Sequence, residues 1–549
     1  MSKVFTRFIM ENEASILDIA TQEFNFYGKR IRESRLSVCD KVIKQLGYTG
    51  QEIASNELCD WLVANKPVVE VQKVGRKTNK PAANTMTGQN AQKREEMEVL
   101  GDGVYIVTAA QNNTLPQAVF GQLKELSNTL GAKLLVMPIH YNKNAFSAAV
   151  DDEKEFFDPA VVDYMLECDT WLGGFGGVRL ATSANVLPTA KNPVGAARML
   201  NAGEAVTVVA SPRQDLECLP VMQDQNKRQA WTTGACTAYN YTDSRAGAEA
   251  ETAHKFGALI IEVYNNQAKV RNVLQAPNGT LLDQRTFNKS QQVDVVLGDI
   301  HAEREDPEMT QKTLDWMNLF NVDRVALHDV LHFETKSHHN RKSGNHLYKM
   351  AAMGKTVKKD LSTVIDVVNK YADVANSVYM VESNHNSAID NWLDDSSYNP
   401  KHDATDAKLY YLLNWAVCNN IDNGNDFNAL QIAMEQCTEQ AGLPFIASNI
   451  VFGDMDNSEV WNGNEVSQHG HKGQNGSFGS TKLFGKWRMQ MITGHTHSPT
   501  ISGDCYTVGV TASLKQGYNR GGASSWDHAH VIILPNGVAQ MTFMNWLQF

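Results

Sequence analysis

The sequence predicts an α/β protein built in successive parts, with its chemistry concentrated in the C-terminal half. Three observations lead there. At 549 residues the chain is too long for one ordinary core, so about two to four domains are expected. Composition is globular, 42% hydrophobic and 20% charged. From residue 99 onward, short apolar runs of strand type alternate with amphipathic helical stretches, the pattern of sheets covered by helices.

Residues 1–72 read as a helical segment. NEASILDIATQEFNFYGKRI places Ile16, Ile19, Ala20 and Phe24 at helical spacing, and NELCDWLVANK reads as a further helix. A DNA-reading helix pair around Gly47–Gly50 is disfavoured, because its second helix would present Glu57 and Asp60 to a phosphate backbone. Residues 73–98 read as a basic linker. Lys73, Arg76, Lys77, Lys80, Lys93 and Arg94 stand there with no acid before residue 95, which suits either a solvated connection or an arm against phosphates.

Residues 99–288 read as an α/β domain whose role is assembly or the binding of DNA or a partner. GVYIVTAAQ and AKLLVMPIHY are strands flanking a helix through LPQAVFGQLKELSNTLG. EAVTVVASP and GALIIEVYN are further strands, and QAKVRNVLQAPNGTLLDQ turns at Pro-Asn-Gly. WLGGFGGV is not followed by the Gly-Lys-Ser/Thr of a phosphate cradle and reads as a loop.

Residues 289–549 form a second α/β block. VDVVLGDIHAE opens it as a strand. REDPEMTQKTLDWMNLF is a helix with Asp306 as N-cap and Pro307 at its first position. VDRVALHD is a strand. GKTVKKDLSTVIDVVNKYADVAN is a helix with Leu361, Val364, Ile365 and Val368 on one face. SVYMVESNHN and WRMQMITGHTHSP are strands that run into polar ends.

The net charge of −11 argues against a general polyanion binder, so a nucleic-acid partner must be held by local patches or by metal. No stretch of 18 apolar residues is present, and the start lacks the features of a signal peptide, so a cytoplasmic protein without a membrane span is expected. The eight cysteines are scattered, with no CxxC pair, and read as reduced thiols.

Histidine is unevenly placed: only His140 and His254 precede residue 300, and fourteen lie from His301 to His530. They collect at strand or loop ends: Asp299-x-His301, His328-Asp329, Asn384-His385, His469 and His471 within SQHGHKGQNGS, and His495-x-His497. Such side chains cost free energy when buried unless something satisfies them. Ligand sites of α/β sheets assemble at the carboxyl ends of strands. A mixed set of carboxylate, imidazole and amide donors suits manganese, iron or zinc rather than calcium.

The order of these motifs resembles that of the calcineurin-like metallophosphoesterases: D-x-H, G-D-x-x-D, G-N-H-D/E, a middle His, then G-H-x-H. The resemblance covers residues 290–549. HGHKGQNGS followed by GHTHSP is similar to phage-encoded members, and the whole chain resembles the pre-early host-DNA-degradation proteins of T-odd tailed phages. The resemblance implies a C-terminal four-layer sandwich, two mixed β-sheets flanked by helices. It implies two divalent metal ions, Mn2+ foremost, with Mg2+, Fe2+ or Zn2+ as alternatives. Asp299, His301 and His497 would hold one metal, Asp329 would bridge, and Asn384, His469 and His495 would complete the second. The pattern puts the middle ligand before a glycine, which favours His469 over His471. His385 would protonate the leaving oxygen. Such a metal pair supplies an activated water, so no protein nucleophile is implied. Three positions depart from the pattern: His328 replaces its Gly, His332 replaces its second Asp, and the third motif reads Ser383-Asn384-His385-Asn386.

Beyond Asp329, LHFETKSHHNRKSGNHLYK carries Lys336, His338, His339, Arg341, Lys342, His346 and Lys349, opposed only by Glu334. His328, His339, Arg341 and Lys342 are the candidate substrate contacts. A cationic run beside a metal pair suits a polyphosphate backbone. The expected function is therefore a metal-dependent, sequence-nonspecific DNase that degrades host DNA. Two alternatives stand beside it. One is a nucleotidase or small-molecule phosphodiesterase with the same site. The other is a host-takeover binding protein with secondary hydrolysis, engaging a phage or host protein or assembling as a homo-oligomer.

Overall fold

The apolar run that leads to Asp299 is a central strand, Gln292–Val296, in the computed structural model. The structure describes residues 3–20, 32–49, 53–64, 97–141, 156–265, 267–337, 343–425, 427–454, 456–487 and 489–544. This strand pairs in parallel with Asn321–Leu327 and antiparallel with Ala529–Ile533. The six-stranded sheet runs in the order Ile450–Phe452, Ser377–Met380, Asn321–Leu327, Gln292–Val296, Ala529–Ile533, Ala539–Phe543. Both of its faces are covered. Val293, Val295 and Leu297 pack into one core, while Val296, Ala326 and Val531 pack into another. That explains a run of valines without polar alternation. Its one charge, Asp294, is buried against the guanidinium of Arg324, with both Nε and Nη2 at 2.8 Å.

Helices cover the first face. In Pro307–Met317, the Asp306 side chain accepts from the Met309 amide at 3.2 Å, as the N-cap reading requires. In Val357–Ala372, Leu361, Val364, Ile365 and Val368 are all buried, the face the helical spacing marks. On the other face, residues from all three sheets meet in one core that includes Leu259, Trp461, Ile492, Val508 and Ile533.

The expected boundary at 288/289 does not separate two compact units. The chain divides into Met1–Asn84 and Thr85–Phe549. Within the second unit an eleven-stranded sheet joins strands from both sides of that boundary. The junction is Leu216–Leu219 against Thr500–Ser502, antiparallel, with Thr500 opposite Glu217 and Ile501 opposite Leu216. A sequence pattern marks each strand but not its neighbour, so a shared sheet is invisible to it. The remaining four-stranded sheet has Gly103–Gln111 parallel to Lys133–Ile139 and antiparallel to Gly257–Tyr264, which pairs with Gln267–Leu274. Pro277-Asn278-Gly279 does turn, closing a single bridge between Gln275 and Leu281 with Gly279 at φ 82°.

The first unit contains the helices Lys3–Asp18, Arg32–Gln45 and Ser55–Ala64, which bury Phe5, Phe8, Ile16, Val42, Leu58 and Leu62 together. Phe24 and the basic tract 73–94 lie outside the described residues. No described helix is long and apolar enough to cross a membrane. No disulfide joins any of the described cysteines.

Two buried histidines away from the strand-end cluster set the expected acid response. His530 accepts from the Gly298 amide through Nδ1 at 3.0 Å and meets Thr313 Oγ1 through Nε2 at 3.0 Å. Thr313 Oγ1 already donates to the Met309 carbonyl, so His530 is the donor and is neutral. Burial lowers its pKa to about 3, and burial lowers that of His254 to about 4, from the usual 6.5. Below about pH 6.5 the unfolded chain binds protons that the folded chain refuses, so stability falls as pH falls. Each of the two contributes a slope of roughly 1.4 kcal/mol per pH unit until its folded pKa is reached. Glu303, whose buried carboxyl is pushed up to about 8, acts with the opposite sign, so the histidine share is read by difference. In calorimetry from pH 7 to pH 5 the Tm of a His254→Phe variant should fall less steeply than that of the wild type, and parallel profiles would contradict it.

Candidate metal centre

The site is made where four strands end. After Gln292–Val296 the chain passes Gly298, where a Cβ would lie 2.7 Å from the Gly509 carbonyl carbon and the Val510 nitrogen, and only glycine fits. This close passage lets the Asp299 amide donate to the Gly509 carbonyl at 3.1 Å. After Asn321–Leu327 come His328 and Asp329. The Ile300 and His301 amides donate to the carbonyls of His328 and Asp329 at 2.9 and 2.8 Å, which sets these two loops side by side. After Ser377–Met380 come Asn384 and His385. Asn386 holds this third loop to the second, accepting from the Leu331 amide at 3.2 Å and donating to the Val381 carbonyl at 3.1 Å. After Met491–Thr493 comes Gly494-His495-Thr496-His497, tied to the His469 loop by the Gly494 amide and the His469 carbonyl at 2.8 Å.

These ends converge. Asp299, His301, Asp329 and His497 bring one ligand atom each within 4.8 Å of one another, and so do Asp329, His469 and His495. Asp329 belongs to both groups. His497 Nε2 lies 2.9 Å from Asp299 Oδ2 and 3.0 Å from His301 Nε2. His469 Nε2 lies 3.1 Å from Asp329 Oδ2. The His495 amide donates to both oxygens of Asp299, at 3.2 and 3.0 Å. Asn384 Oδ1 and Asp329 Oδ1 are buried acceptors without a hydrogen-bond partner. Buried acceptors of this kind are what cations would satisfy, and the oxygen and imidazole donors fit divalent metal ions.

Backbone strain gathers at the same place. Among the described residues, ten non-glycine residues have positive φ, and His301, Asp329, His495 and His497 are four of them, at 41°, 43°, 77° and 59°. Each costs on the order of 1–3 kcal/mol and persists only where its surroundings impose it. Electrostatics follow the geometry. Burial opposes the charge on Asp329, but His469 and His385 outweigh it and hold the carboxyl well below its usual range. Burial likewise opposes the imidazolium of His469, and Asp329 outweighs it and raises the pKa. Burial keeps His301 far below the usual histidine value.

The other expected residues fall as follows. His385 is half-buried; its Nδ1 donates to the His332 carbonyl at 3.1 Å, and its ring lies 4.8 Å from that of His301. His385, His301 and His332 form a third close group, which shares His301 with the first. His471 stands outside these groups, its ring 5.5 Å from that of His469. His328 has no exposed surface and faces His469 rather than an open substrate path. His339, Arg341 and Lys342 lie outside the described residues. Lys336 does not join an exposed cationic face, because it is buried and bonded to Asp403, with Asp406 at 3.4 Å. His346 donates through Nε2 to the Glu334 carbonyl at 2.8 Å.

Sequence reasoning missed two neighbours. Glu303 accepts from the His332 and Phe333 amides at 2.8 and 2.9 Å and so fixes the loop after Asp329. Burial, then Asp360, pushes its carboxyl up to about 8. Its only signal is its place two residues after His301. The Trp526 ring lies 4.2 Å from that of His497, and no motif marks it.

Gly494 is a direct test of this packing. A Cβ there would lie 2.3 Å from Asp299 Oδ1 and 3.0 Å from His328 Cβ. Gly494→Ala should therefore displace Asp299 and cost roughly 1–3 kcal/mol of stability through overpacking. Bound metal, measured by elemental analysis, should fall with Tm; retention of both would show that the loop relaxes freely.

Fold and site together define a class: a mixed α/β protein of several mixed sheets flanked by helices, with buried His/Asp groups able to hold metal ions. No protein-family model matches the chain, and no solved structure matches it. The chain is 34% identical to Protein A1 of Escherichia phage T5 over an alignment of 554 positions that spans 96% of this chain and 97% of that protein. It belongs to the family of that phage protein.

Proposed function

We propose that the chain is a metal-dependent phosphodiesterase of the calcineurin-like metallophosphoesterase type, acting as a sequence-nonspecific DNase. The observation that carries this reading is the membership of Asp329 in both ligand groups, which is the arrangement a bridging carboxylate requires. Asp299, His301, Asp329 and His497 would hold one divalent ion, and Asp329, Asn384, His469 and His495 the other. A pair of divalent ions would polarise the phosphoryl group, activate a water and stabilise the departing charge. Manganese is the proposed physiological ion.

The chain's own residues supply the rest. The His495 amide holds the Asp299 carboxylate by both oxygens. The His332 carbonyl accepts the Nδ1 proton of His385, which leaves His385 Nε2 to hold the proton delivered to the leaving oxygen. The cationic residues His339, Arg341 and Lys342 are proposed to follow the DNA backbone. Kinship with a phage protein supports a role in host DNA degradation in the host cytoplasm.

The test is incubation of the purified full chain with linear and circular DNA, in Mn2+, Mg2+ or EDTA. Cleavage with Mn2+ and none with EDTA is expected. A folded protein that cuts neither substrate with any divalent metal would remove the reading. Faster phosphate release from nucleoside monophosphates than cleavage of DNA would move it to a nucleotidase.

A further inference from the structure

We propose that His328 and His332 are positioning residues, which fix the tautomer and ring orientation of His469 and His301 respectively. This rests on the metal reading above and assigns roles to two residues at which the sequence departs from the family pattern.

The two pairs are built alike. His328 Nδ1 lies 3.4 Å from His469 Nδ1, and His332 Nδ1 lies 3.3 Å from His301 Nδ1. In each pair the second histidine turns its other nitrogen inward. His469 Nε2 lies 3.1 Å from Asp329 Oδ2, and His301 Nε2 lies 3.0 Å from His497 Nε2. A nitrogen that offers its lone pair to a cation carries no proton, so His469 and His301 carry theirs on Nδ1. An Nδ1–H buried at such a site needs an acceptor, and that acceptor sets the ring's orientation. His328 and His332 present one to each.

The surroundings lock both partners. His328 is fully buried, and the Cβ-free Gly494 lies directly against it. The His332 backbone is held on both sides: its amide donates to Glu303, and its carbonyl accepts from His385. His328 Nε2 remains buried without a hydrogen-bond partner, a cost that packing alone does not explain. The usual acceptor in this role is a carboxylate or a backbone carbonyl. A neutral imidazole leaves the site less negative than the family's aspartate at position 332 would, which favours the approach of a polyanionic phosphodiester over a small neutral ester.

The experiment titrates the metal-free full chain with Mn2+ by calorimetry. His328→Leu and His332→Leu should each weaken binding roughly 10–100-fold. His328→Gln and His332→Gln, which keep an acceptor, should recover most of it. A wild-type readout guards against misfolding of the variants: in the 15N-histidine-labelled chain loaded with diamagnetic Zn2+, long-range 15N–1H spectra should show His301 and His469 with their proton on Nδ1. Leucine variants that bind Mn2+ as tightly as wild type, or Nε2–H tautomers at His301 and His469, would overturn the proposal while leaving the metal reading intact. Absence of Mn2+ binding by the wild type would remove both.

Discussion

Asp329→Asn is expected to abolish DNA hydrolysis and strip metal from the protein, with the fold retained. Asparagine has nearly the same volume, so the surrounding core is undisturbed. The lost carboxylate is the one side chain common to both ligand groups. Its removal takes a negative charge from each, and His469 Nε2 loses the carboxylate oxygen that lies 3.1 Å away. Lewis-acid stabilisation by such a metal pair is worth several kcal/mol, so the rate should fall on the order of 10³-fold or more. Elemental analysis and a DNA-cleavage assay read the two effects. Retention of full metal content with near-wild-type cleavage would show that Asp329 bridges nothing.

The strand ends were legible because buried polar side chains are expensive. Asp299, His301, Asp329, Asn384, His495 and His497 stand just beyond an apolar strand, and packing alone gives no reason for them there. Helix Val357–Ala372 was legible for the ordinary reason that its spacing of Leu361, Val364, Ile365 and Val368 matches a helical turn. What could not be read were relations between distant segments. The pairing of Leu216–Leu219 with Thr500–Ser502 joins two stretches nearly three hundred residues apart and leaves no local trace. The run after Asp329 misled in the case of Lys336, because its partners Asp403 and Asp406 lie far along the chain. His328 and His332 were visible as departures from a pattern. Their facing of His469 and His301 needed coordinates.

The shared sheet changes what a truncation can mean. Strands Val206–Val209, Arg228–Thr232 and Leu216–Leu219 extend the sheet that carries the His495–His497 loop on Met491–Thr493. Cutting the chain near residue 289 would expose the edge at Thr500–Ser502, within a few residues of His497. An inactive fragment would then report a broken sheet rather than a role of the N-terminal half in binding DNA or a partner. Point substitutions within the full chain are the informative route.

His385→Ala is the substitution that separates chemistry from metal binding. His385 belongs to neither of the two groups that contain Asp329, so metal content and affinity should stay near wild type. Its Nδ1 is committed to the His332 carbonyl, and only Nε2 can deliver a proton. Loss of a general acid typically costs about 10²–10⁴-fold in turnover. The size of the loss should depend on the leaving group. A deoxyribose alkoxide leaves poorly and needs the proton, whereas p-nitrophenolate leaves without one. Kcat on DNA should therefore collapse, while kcat on bis(p-nitrophenyl) phosphate falls far less. Asparagine at this position should not rescue, because an amide keeps a hydrogen bond to the carbonyl but has no transferable proton. An equal loss on both substrates would instead assign His385 to holding the site together, and its contact with the His301 ring would then be the part that matters.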